Sequence, residues 1–78
     1  MMKELYDYLI TALELNGVLK LNKDHILYYR YDLADDMDLF YHECIDEKNK
    51  IIDNLPNGFK LDNFNYNKES ISFQILKQ

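Results

Sequence analysis

Cysteine, proline, glycine, arginine and tryptophan are nearly missing from this chain. Its 78 residues include one Cys, one Pro, two Gly and no Trp, and Arg30 is the only arginine. Each scarcity closes a route. With Cys44 alone, no intrachain disulfide can form. A small secreted domain usually depends on such staples, so the expected compartment is the reducing cytoplasm, here that of a bacterial host cell. Two isolated glycines cannot build a phosphate-cradling loop. Few Pro and Gly, together with 47% hydrophobic residues, exclude a disordered tract and point to one compact domain spanning 1–78.

Positive charge is also short. Nine Lys and Arg face 14 Asp and Glu, a net charge of −5. Phosphate backbones and anionic membranes repel such a surface, so no direct nucleic-acid or membrane binding is expected. The longest apolar run, Ile26-Leu27-Tyr28-Tyr29, is far below the roughly 20 residues of a membrane span. Acidic residues follow Met1-Met2-Lys3 at once, which is unlike a signal peptide.

What is abundant also informs. Phe, Tyr, Met, Ile, Asn and Lys make up 37 of the 78 residues. These residues have AT-rich codons, whereas the GC-rich set Gly, Ala, Arg and Pro supplies 6. The coding sequence is therefore expected to be AT-rich, as in some bacteria and their viruses.

The hydrophobic pattern predicts the order α-β-β-α-β-β. Residues 2–15 read as a helix whose apolar arc, Leu15, Tyr8, Ala12, Leu5, Leu9, Leu13, Tyr6 and Ile10, is about 220° wide, more than one buried face needs. Asn16-Gly17 would end it, with Gly17 left-handed. Tyr6 and Ile10, at one edge of the arc, are the expected contacts of a homodimer. Strands are predicted at Val18–Leu21 and Ile26–Tyr31 around the turn Asn22-Lys23-Asp24-His25, the second strand central because both of its faces are bulky. A long helix is predicted over 33–55, capped by Asp32, with Leu33, Met37, Phe40, Tyr41, Cys44, Ile45, Ile51, Ile52 and Leu55 facing inward and Lys48 the only charge among them. A closing hairpin pairs Phe64 and Tyr66 with Ile71, Phe73 and Ile75. Phe59 and Leu61 are out of phase with Phe64 and Tyr66, which predicts a bulge near Asp62-Asn63. The fold class is α+β: one antiparallel four-stranded sheet with two helices packed on one face. Asn-Gly followed by an apolar residue and Lys-Leu recurs from Asn16 and from Asn57, read as shared chemistry of leaving a helix into a strand.

Catalytic groups are hard to find. Cys44 falls on an apolar helix face, where a thiol is a small hydrophobe. His42-Glu43-Cys44-Ile45-Asp46 resembles a helical metal box with Asp in place of the second His. A zinc site needs at least three protein ligands, and His25 has no reason to approach. No enzyme activity, metal or cofactor is therefore expected.

The outward stripe of the long helix is different. Asp35, Asp38, His42 and Asp46 line it, Glu43 flanks it, and Leu39 points out among the carboxylates, the layout of an interface anchor with a charged rim. A second candidate surface is the polar tips of Tyr28, Arg30 and Tyr66 on the sheet. The expectation is a non-enzymatic module that binds a protein with a basic surface. The form that suits its size and acidity best is a small inhibitor encoded by a phage or mobile element, anti-CRISPR-like, that blocks a nucleic-acid-handling defence protein. Alternatives are an immunity or antitoxin protein that neutralises a basic nuclease toxin, or a small homo-oligomer that binds a ligand.

Overall fold

The computed structural model describes residues 2–31, 36–67 and 69–78, with only the backbone of Met37. Its elements are α1 (Met2–Ala12), β1 (Val18–Leu21), β2 (His25–Tyr31), α2 (Met37–Asp53), β3 (Phe59–Tyr66) and β4 (Ser70–Lys77). All four strands pair antiparallel in the order β1-β2-β4-β3. The α-β-β-α-β-β order and the central position of β2 are as the sequence predicts.

Alternation divides the sheet into two unlike faces. Ile26, Tyr28 and Arg30 of β2 and Ile71, Phe73 and Ile75 of β4 are buried. The intervening Tyr29 and Tyr31 are exposed and Leu27 only partly covered. Tyr28 stacks on Phe73 with ring centroids 4.5 Å apart, and Phe73 stacks in turn on Phe64 at 6.5 Å. Leu5 and Leu9 of α1 and Phe40, Cys44 and Ile51 of α2 complete the same core cluster. Cys44 is fully buried, as its apolar position predicts.

The bulge is where the pattern places it. Asp62 pairs with Gln74 but Asn65 with Ser72, so β3 carries one extra residue. Asn63 takes a positive φ of 54° there, a conformation Asn tolerates better than most residues. Its side chain donates to Gln74 Oε1 at 2.5 Å. The extra residue puts Phe59 and Leu61 on the same face as Phe64 and Tyr66.

Four boundary expectations need correction. The long helix does not begin at residue 33: Asp36 has extended backbone and its carboxylate accepts the Leu39 N–H at 3.0 Å, which makes it the cap. The expected cap Asp32, together with Leu33, Ala34 and Asp35, lies outside the described residues. Helix α2 ends at Asp53, two residues early, with Asn54 as its C-cap. Helix α1 stops at Ala12 instead of residue 15, because the N–H groups of Asn16 and Gly17 turn to Glu47 of α2. Gly17 is not left-handed either; among the glycines that role belongs to Gly58, at φ 96°. Gly17 is needed for room: a Cβ built on it would run into the Tyr28 ring and hydroxyl. The two Asn-Gly pairs therefore do different work.

Because Tyr28 is fully buried and hydrogen-bonded, its ring cannot swing aside. Gly17→Ala is expected to lower stability by about 1–3 kcal/mol through overpacking, read as a drop in thermal midpoint. Gly58→Ala meets no neighbour and pays only for its left-handed backbone.

Candidate functional site

The surface that α2 presents is decided by what it buries. Among the described side chains its buried positions are Phe40, Cys44, Glu47 and Ile51, spaced 4, 3 and 4 residues apart along one face. Glu47 sits in the middle of that stripe, 5% exposed. Its Oε1 accepts from the Tyr28 hydroxyl at 2.8 Å, from Asn16 N–H at 3.0 Å and from Gly17 N–H at 3.1 Å. Its Oε2 accepts from Arg30 at 2.9 Å. The other arm of the Arg30 guanidinium reaches Glu43 at 2.7 Å, and its plane lies over Phe40, 5.4 Å from the ring centroid. Arg30 is 8% exposed, so the one arginine is committed to the interior. Burial weakens its charged form, but the hydrogen bond to Glu43 and the charge of Glu47 outweigh that, and it holds its proton more firmly than usual. Burial first, then the hydrogen bond to Glu47 and its charge, push the Tyr28 phenol far above its ordinary value of 10.0.

This network corrects two expectations. Tyr28 and Arg30 do not offer polar tips to a partner. Tyr28 is 0% exposed, and both groups are spent on Glu47. Glu43 is not an independent rim carboxylate, because it is half-buried and paired with Arg30. Sequence reasoning missed Glu47 because its charge hid it; its spacing from Phe40, Cys44 and Ile51 was the available signal.

With that face turned inward, the outer face of α2 carries Asp38, Leu39, His42 and Asp46, all exposed. Leu39 stands 55% exposed. Asp38 and Asp46 have no ion-pair partner among the described residues. Asp35 lies outside the described residues. Tyr66, the remaining member of the second candidate surface, joins this region: its ring meets that of Tyr41 edge-on at 4.9 Å, and Tyr41 meets His42 at 6.0 Å. Tyr41, expected to face inward, is exposed at the α2–β3 flank.

The helix α1 edge is divided. Ile10 is exposed, but Tyr6 is half-buried and its hydroxyl donates to the Leu19 carbonyl at 3.4 Å. Asn22 N–H bonds His25 O, so by the alternation of an antiparallel ladder the polar groups of Leu19 point to the sheet edge. Tyr6 thus helps cover its own edge strand.

An open groove of about 550 Å³ runs between the first turns of α1 and the end of α2, lined by Leu5, Leu55, Pro56 and Phe59 with Glu4, Tyr8, Asp53 and Asn54. Tyr8 bridges its two helices by donating to Asn54 Oδ1 at 3.0 Å. Its titratable lining groups are Glu4, Tyr8 and Asp53. Among the described residues no three His, Cys, Asp or Glu side chains gather where they could hold a metal ion, and no helix is long and apolar enough to cross a membrane. Compared with known protein families, curated proteins and solved structures, the chain matches none.

Removing Glu47 would take from the buried Arg30 its most deeply buried partner and strand the Tyr28 hydroxyl and two backbone N–H groups. Glu47→Ala is expected to cost about 3–5 kcal/mol, a large share of the stability of a domain this size. Glu43→Gln, at a half-exposed pair, should cost about 1 kcal/mol or less. Urea titrations of both variants measure the contrast.

The Tyr28 shift sets an alkaline limit. Its folded pKa lies above the unfolded value, so its contribution is complete below about pH 10 and fades as pH rises toward the folded value. Stability should fall above pH 10 in the wild type, and Tyr28→Phe should flatten that dependence. Denaturant midpoints from pH 8 to 12 report it.

Proposed function

We propose that this chain is a non-enzymatic binding module that covers a basic surface on another protein. The role that fits best is a small inhibitor, carried by a phage or mobile element, that blocks the nucleic-acid-binding surface of a host defence protein in the cytoplasm. An immunity or antitoxin protein facing a basic nuclease toxin would use the same contact, and the neighbouring genes separate the two.

The observation that supports this reading is Leu39, more than half exposed on a rigid helix beside the carboxylates of Asp38 and Asp46, which have no ion-pair partner among the described residues. An apolar anchor inside a charged rim is how protein interfaces divide labour. The anchor slows dissociation, and the rim speeds association by long-range attraction that salt screens. The net charge of −5 turns the same surface away from nucleic acid itself. Helix α2 cannot roll to hide these groups, because Glu47 and Glu43 hold it to Arg30.

The test is quantitative capture of a partner from source-organism lysate by tagged protein, followed by kinetics with the purified partner. Asp38→Asn and Asp46→Asn should mainly slow association and reduce its salt dependence. Leu39→Ala should mainly speed dissociation, by a factor equivalent to about 1–2 kcal/mol. All three variants should stay folded, since these side chains face solvent. Unchanged binding by the combined variant Asp38→Lys, Asp46→Lys, Leu39→Ala would remove this surface from the interface.

A further inference from the structure

Beside the acidic stripe lies a feature the rim-and-anchor layout does not use. Tyr41 of α2 and Tyr66 of β3 meet edge-on, rings 4.9 Å apart at 75°, and remain 38% and 40% exposed. Asp38 precedes Tyr41 by three residues, which places both on one flank of the helix. Two aromatic rings and a carboxylate therefore share one patch of surface.

We infer that this patch grips an arginine side chain of the partner, a reading that rests on the basic-surface partner proposed above. The chemistry follows from what the patch offers. Aromatic faces carry negative potential and attract cations, and a carboxylate adds a full charge and two acceptor oxygens. An anion is repelled, and a neutral apolar group leaves Asp38 unanswered. A guanidinium satisfies both parts: its plane stacks on a ring while its N–H fork pairs with the carboxylate, which the compact, strongly hydrated ammonium of lysine cannot do.

The same molecule contains the arrangement inside itself. Arg30 lies over the Phe40 ring, 5.4 Å from its centroid, while its two arms bind Glu43 and Glu47. At the surface, Lys48 already sits over Phe64, 5.2 Å from the centroid, so this flank accepts a cation on an aromatic face. At Tyr41 and Tyr66 no cation of the chain occupies the equivalent position among the described residues. The outer patch repeats the chemistry of the inner one and leaves the cation to be supplied by another molecule.

The experiment uses the full chain and two short peptides of equal length and charge, one with arginines and one with lysines at the same positions. They are titrated at low salt and followed by NMR of the tyrosine rings and backbone amides. The arginine peptide should bind about two- to fivefold more tightly, with the largest shifts at Asp38, Tyr41 and Tyr66. Tyr66→Leu should erase the arginine preference, Tyr66→Phe should retain it, and Asp38→Asn should weaken both peptides. Equal affinity for the two peptides, shifts located elsewhere, or a preference that survives Tyr66→Leu would overturn the inference. If Tyr66→Leu does not fold, loss of the preference in Tyr41→Leu, with Tyr41→Phe retaining it, decides the matter. The peptides judge this patch alone. A partner that is lost on changing Leu39 and Asp46, while the peptides show no arginine preference, would leave the proposed function standing and this inference refuted.

Discussion

Burying an ion pair is expensive, and this domain is organised around one. Arg30 and Glu47 are both withdrawn from water. The desolvation cost is offset only because every donor and acceptor nearby is used: Tyr28, two backbone N–H groups from the α1–β1 connection and the second arm of Arg30 all close on the carboxylates. No buried side-chain polar atom among the described residues is left without a partner. Such a network contributes less to stability than an apolar core of equal volume would, yet it is unforgiving of partial loss. Here it ties together three segments distant in sequence: β2, the middle of α2 and the exit from α1. The rotation of α2 about its own axis follows from that tie, and with it the identity of the residues that meet solvent.

Much of the architecture was legible because it rests on local chemistry. The period-2 pattern of Ile26, Tyr28 and Arg30 and of Ile71, Phe73 and Ile75 marks strands whatever the tertiary context. The phase break between Leu61 and Phe64 had to be absorbed by an extra residue, and Asn63 can adopt the required backbone. The interior of α2 was less legible. A pattern based on hydrophobicity cannot place a glutamate on a core face unless its cation is also known to be buried, and Arg30 declares that only through contacts 13 and 17 residues away in sequence. Tyr41 and Ile52, apolar enough to read as inward-facing, are both exposed. Gly17 poses a related ambiguity. A helix-ending glycine and a glycine that admits an aromatic ring look alike until the ring's position is known.

The site shows the same division. The exposure of Asp38, Leu39, His42 and Asp46 follows from helical periodicity alone. The ring neighbour of Tyr66 is Tyr41, across an element boundary, which no local pattern shows. Inside the protein, acidic groups are matched by the only arginine. Along the outer face of α2, Asp38 and Asp46 have no ion-pair partner among the described residues.

The extra residue in β3 has a consequence for how this gene can change. Ahead of it, Phe59 and Leu61 close the groove and core beside α1; beyond it, Phe64 and Tyr66 pack beside α2. A single-codon deletion between them would restore an unbroken ladder and leave both pairs on the same side of the sheet, whereas loss of two codons, or gain of one, would turn one pair to the opposite side. The length of the 62–65 segment can therefore change by the loss of the extra residue itself, and other changes of length should be purged there more strictly than replacements.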